Sequence, residues 1–143
     1  MKKTVTDYYL INPQDETITV GTISYSNTTE RLKAMYDVIG CRLIDRLEFP
    51  DEKHDVVIDD EGLYNLGDTP KFFTIDENLP PLAGKGMVFG LEGPENDYGP
   101  PTMTLEELKK IVKFHDARSA AYHDARIHAR FDEYRNKETH DDE

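Results

Sequence analysis

The chain has 143 residues, 17 of them basic and 29 acidic, for a formal net charge of -12, and a single cysteine. That charge opposes DNA or an anionic membrane as a default partner, although an acidic face can imitate the phosphate ladder of nucleic acid. One cysteine excludes an internal disulfide, and no apolar run approaches the ~20 residues of a membrane span.

The start, Met1-Lys2-Lys3-Thr4, is followed by no apolar h-region, so a cytoplasmic protein is expected. Val5 to Ile11 reads as a strand because Tyr8, Tyr9, Leu10 and Ile11 favour β structure. Asn12-Pro13-Gln14-Asp15 is a turn by composition, and Thr17 to Ser24 alternates as a second strand. The two runs predict a hairpin.

Asn27 to Pro50 is the central unit. Asn27 caps a helix, and Glu30 reaches back to close the capping box. Leu32, Met35, Tyr36 and Ile39 form an apolar stripe at i, i+3, i+4 and i+7. Gly40 supplies the left-handed residue at the helix end. Cys41, Leu43, Leu47 and Phe49 then alternate with Arg42, Arg46 and Glu48, predicting a half-buried strand that Pro50 ends, with Ile44 the exception.

His54 to Ile58 is a short strand, and Asp59-Asp60-Glu61-Gly62 is an acidic turn. An EF-hand reading fails, because Pro70 or Lys71 stands where the closing Glu belongs. Phe72 to Ile75 is a strand or edge segment, and Leu82 to Leu91 is a glycine turn entering a buried strand. Phe89 replaces the third glycine of a dinucleotide fingerprint, and Gly84-Lys85-Gly86 lacks the Ser or Thr of a phosphate-binding loop. Gly93-Pro94 to Gly99-Pro100-Pro101 is rich in turn formers and reads as a linker over 94–103.

Thr104 and Glu107 form a second capping box, and Leu105, Leu108, Ile111 and Val112 follow as an apolar stripe. No breaker appears before Asn136, so a long helix over 104–137 is predicted, with an acidic tail at 138–143. Ala117, Ala121, Ala125 and Ala129, with Tyr122 and Phe131, would present a close-approach surface to a partner helix. His115, His123 and His128 are spaced eight and five apart, which is not metal-ligand spacing on one helix face. The expected fold is α+β: a small antiparallel or mixed sheet over 1–93, one packed helix, and the long C-terminal helix.

The strand Tyr8 to Ile11, the unit Leu32 to Gly40 running on through Phe49, Val57-Ile58-Asp59-Asp60-Glu61-Gly62-Leu63, and Gly84-Lys85-Gly86-Met87-Val88-Phe89-Gly90 resemble a small family known as domain of unknown function 3846. The resemblance implies a bacteriophage or mobile-element accessory protein, working in the host cytoplasm. It carries no catalytic residues.

No serine nucleophile elbow, supported Cys–His pair or metal signature is present, and Cys41 falls on a predicted core strand. The expected function is therefore non-enzymatic: protein–protein interaction or self-association through the C-terminal helix, inhibiting a host or defence component. The alternative is binding or sequestering of a nucleotide-like small molecule. Its expected ligand-binding residues are Arg42, Arg46, Lys85, Tyr8 and Tyr9, because arginine forks suit phosphate. Neither route calls for a cofactor or a metal.

Overall fold

The hairpin is continuous. β1 (Thr4–Asn12) pairs antiparallel with β2 (Thr17–Tyr25) in unbroken register, from Thr4 opposite Tyr25 to Asn12 opposite Thr17. The connecting turn is held by the Gln14 N–H donating to Asn12 Oδ1 at 3.1 Å. The computed structural model from which this is read describes residues 3–62, 71–76, 79–93 and 97–116.

Helix α1 (Thr28–Ile39) starts where its cap predicts: Asn27 Oδ1 accepts the Glu30 N–H at 2.9 Å. Glu30 Oε1 reaches back one residue further than a standard capping box, accepting from Ser26 N at 2.8 Å. Gly40 ends the helix at φ 79°, a left-handed geometry that glycine adopts without a Cβ clash. β3 (Ile44–Glu48) and β4 (His54–Asp59) form a second antiparallel pair. β5 (Lys71–Thr74), β6 (Leu82–Ala83), β7 (Gly86–Gly90), α2 (Leu105–Ile111) and β8 (Lys113–Asp116) follow.

Among the described residues two antiparallel sheets result. The larger has strand order β2-β1-β7-β4-β3 and the smaller β6-β5-β8. α1 covers one face of the larger sheet, where Met35 and Ile39 pack with Tyr8, Ile23, Tyr25, Val57, Met87 and Phe89. The smaller sheet and α2 cover the other face, where Phe73, Leu82, Leu108 and Val112 meet Ile11, Ile18, Val56, Ile58 and Val88. The period-2 alternation of Val56, Val57 and Ile58 explains the division, since successive side chains point to opposite faces.

This architecture corrects the expected α+β class. The described residues are 45% strand and 19% helix, in two sheets with two short helices. The predicted long C-terminal helix is not formed among the described residues: α2 stops at Ile111, Val112 is extended at ψ 132°, and Lys113–Asp116 pairs with Lys71–Thr74. The reason is tertiary. Leu108 and Val112 are buried and Phe114 packs beside them, so extending the chain there closes the smaller sheet over the core, which outweighs a weak local helix preference. Residues 117–143, with the helix surface of Ala117, Ala121, Tyr122, Ala125, Ala129 and Phe131, lie outside the described residues.

No helix among the described residues is long and apolar enough to cross a membrane.

Candidate functional site

An open cleft of about 560 Å³ lies between α1 and the β3 side of the larger sheet. Three pieces of chain build it. α1 supplies Arg31, Leu32 and Met35; Arg31 and Met35 are four apart and share a helix face. β3 and β4 supply Ile44, Asp45, Arg46 and Val57, with Arg46 directly opposite Val57 in register. The loop after β7 supplies Asp97 and Tyr98.

That loop is pinned on both sides of the contact. Gly90 and Gly99 exchange backbone hydrogen bonds at 2.9 and 3.0 Å, and Gly93 N donates to Asp97 O at 3.0 Å. Glycine is needed at Gly90, since a Cβ there would meet Pro100 O at 2.3 Å.

Asp97 is the hub. Its Oδ2 accepts the Tyr25 hydroxyl at 2.6 Å, and its Oδ1 accepts the Tyr98 N–H at 2.7 Å together with the Arg31 guanidinium. Burial pushes the Asp97 carboxyl up, but the Tyr25 and Tyr98 donors and the Arg31 charge outweigh it and hold the group below its ordinary value. Burial, reinforced by the Asp97 acceptor, pushes the Tyr25 phenol up to about 12.

Tyr98 forms the second half of the wall. Its ring stacks on Phe89, its hydroxyl donates to Asp55 Oδ2 at 2.7 Å, and the Arg31 guanidinium carbon lies 5.9 Å from its ring centre. Burial, then the bond to Asp55, pushes this phenol up to about 12. Arg46 Nη1 stands 3.6 Å from the same Asp55 oxygen and leaves 74% of its side chain exposed. One feature is unbalanced: Arg31 Nε is buried and has no hydrogen-bond partner among the described residues.

A second cluster resembles a nucleophile–base–acid array. Asp51 Oδ2 is 2.8 Å from His54 Nδ1, and His54 Nε2 is 3.2 Å from Thr102 Oγ1. Its bonding assigns it a different task. Nε2 accepts the backbone N–H groups of Thr102 and Met103 at 3.0 and 3.3 Å, so its lone pair is already engaged. The imidazole, 1% exposed, fastens the segment leading into α2 to the start of β4.

The residues expected from sequence to bind a ligand do not converge. Arg46 lines the cleft. Arg42 is exposed and makes a forked ion pair with Glu61 at 2.8 and 3.0 Å. Lys85 sits in the turn between β6 and β7. Tyr8 is buried under α1, while Tyr9 points to the opposite sheet face and donates to Met103 O at 2.9 Å. Cys41 is half-buried, and burial pushes its thiol up to about 11, far from a reactive thiolate. His115, one of the three histidines weighed for metal, is 3.0 Å from Thr74 Oγ1, and no metal-type cluster occurs among the described residues.

Sequence reasoning missed Arg31, Tyr25, Asp55, Asp97 and Tyr98. One signal was present. Arg31 lies near the N-terminus of α1, where the helix dipole disfavours a cation, so it needed a carboxylate from elsewhere.

The chain matches the family described as Domain of unknown function (DUF3846) over residues 6–113. No curated protein and no solved structure matches it.

Proposed function

The chain belongs to the DUF3846 family, and we propose that it is a binding protein whose cleft between α1 and β3 takes a small organic anion. Arg31 and Arg46 hold the carboxylate or phosphate head. Leu32, Met35, Ile44 and Val57 carry an apolar or planar body, which admits nucleotide-like ligands.

The observation that carries this reading is that two guanidinium-bearing residues, Arg31 from α1 and Arg46 from β3, line the same cleft. Arg46 adds a second guanidinium, its side chain 74% exposed. A volume of about 560 Å³ suits a small molecule. Asp97 and Tyr98 position Arg31 and do not themselves call for chemistry on the ligand.

Calorimetric titration with nucleoside monophosphates and aromatic carboxylic acids tests the proposal. Arg31→Met and Arg46→Met should each weaken binding by about tenfold or more, the worth of a charge-assisted hydrogen bond. Arg42→Met, outside the cleft, should leave it unchanged. No heat and no thermal shift with any of these compounds at millimolar concentration would overturn the reading.

A further inference from the structure

Among the described residues four strands end the two sheets: β2 and β3 in the larger, β6 and β8 in the smaller. Free edges invite pairing, and proteins blunt them with short strands, charges, proline or bulges. Three of the four are blunted. β3 has five residues, Asp45, Arg46 and Glu48 among them, and Pro50 follows. β6 is two residues long, and β8 is four with Lys113, His115 and Asp116.

β2 carries none of these devices. It runs nine residues, Thr17–Tyr25, without a charge or a proline. Its register against β1 is unbroken, so no bulge twists the edge away. Thr17, Thr19, Val20, Thr22 and Ser24 are exposed, and among the described residues no strand lies beyond it. Val20 is 58% exposed, and Val5 on the neighbouring β1 is 64% exposed.

We infer that β2 is a self-association edge: two copies of this chain pair β2 with β2, antiparallel about a two-fold axis, and join the larger sheets into one. A second copy fits as the occupant because this edge is self-complementary about a two-fold axis and neutral. Each chain carries a net -12, so copies repel wherever acidic surfaces meet. β2 is uncharged along its whole length, a property it shares only with the two-residue β6, so strand pairing there sets no like charges opposite one another. Gly21 is the middle residue of β2. A two-fold centred on it sets Val20 against Thr22 of a second copy and Thr19 against Ile23, keeping each sheet face continuous. The strand spans about 30 Å at ~3.4 Å per residue, long enough for a full ladder.

Sedimentation equilibrium of the full chain tests this, paired with amide hydrogen exchange across a concentration series. The expected result is a dimer whose β2 amides exchange more slowly as concentration rises. The double variant Thr19→Lys/Val20→Lys places a charge on each face of the edge. It should weaken dimerisation by at least tenfold while far-ultraviolet circular dichroism stays native. Ser24→Lys, a milder change at an exposed position, should do the same should the double variant unfold. A wild-type monomer throughout the series overturns the proposal, whether its β2 amides exchange freely or are protected by another segment of the same chain. A dimer indifferent to the folded lysine variants overturns it too.

Discussion

Tyr98 lies flat on Phe89, ring centroids 4.8 Å apart and planes 5° from parallel. Phe89 is fully buried in the larger sheet, so the contact fixes a loop residue against the core. The hydroxyl then reaches Asp55, itself only 5% exposed. Tyr98→Phe keeps the stack and removes the donor, and should destabilise by about 1–3 kcal/mol through the under-satisfied buried carboxyl. Tyr98→Ala should cost more and abolish cleft binding, because Arg31 loses the ring beneath it. Urea unfolding and calorimetry of both variants check the order.

Asp97 links the cleft to acid stability. Its folded-state value lies below the ordinary 3.8, because hydrogen bonds from Tyr25 and Tyr98 and the Arg31 charge overcome the upward push of burial. The stabilisation is therefore complete above the unfolded value and is lost as pH falls through the lower folded one. Unfolding free energy should drop as pH falls below about 4. Asp97→Asn should start less stable at neutral pH and show a shallower acid decline, read from denaturant midpoints along a pH series.

The alkaline limb has the opposite sign. Tyr25 and Tyr98 have folded values pushed up to about 12 from an ordinary 10.0. The folded state holds those protons more tightly, so stability is full below pH 10 and declines as pH rises towards 12. In a phenolate absorbance titration these two rings should ionise late, towards pH 12, with unfolding overlapping that step. Replacing both with Phe should remove that late step and lower stability at neutral pH.

The parts of this fold that were legible are those whose cause is local. The hairpin, the Asn27 cap and the Gly40 stop each depend on residues within a few positions of one another. β8 was illegible because the helical periodicity through Leu108, Ile111 and Val112 gives no reason to stop. The reason lies in Lys71–Thr74, to which Lys113–Asp116 pairs. The cleft is a stronger case: Arg31 and Asp97 are 66 residues apart and belong to a helix and a glycine-rich loop that share no pattern. Arg46 could be picked out because strand alternation separates it from Leu47. Arg42 and Lys85 carry the same type of charge, and nothing local says that they face elsewhere.

The Asp51–His54–Thr102 array separates an anchoring role from a catalytic one by experiment. His54 is buried and its Nε2 accepts two backbone N–H groups, which leaves the ring proton on Nδ1, facing Asp51 at 2.8 Å. Removing the ring opens a cavity beside Phe49, whose ring centre lies 5.6 Å away, and strands the Thr102 N–H. His54→Ala should therefore cost about 3 kcal/mol and loosen the segment entering α2, seen as faster amide exchange from Thr102 to Leu108. Thr102 is exposed, and its backbone makes the principal contact, so Thr102→Val should change stability by less than about 1 kcal/mol. A Thr102 hydroxyl serving as nucleophile would react with an active-site-directed phosphonylating reagent in the wild type and not in Thr102→Val. The anchoring role expects no labelling of either protein, and an adduct on Thr102 in intact-mass spectra would assign the array to catalysis instead.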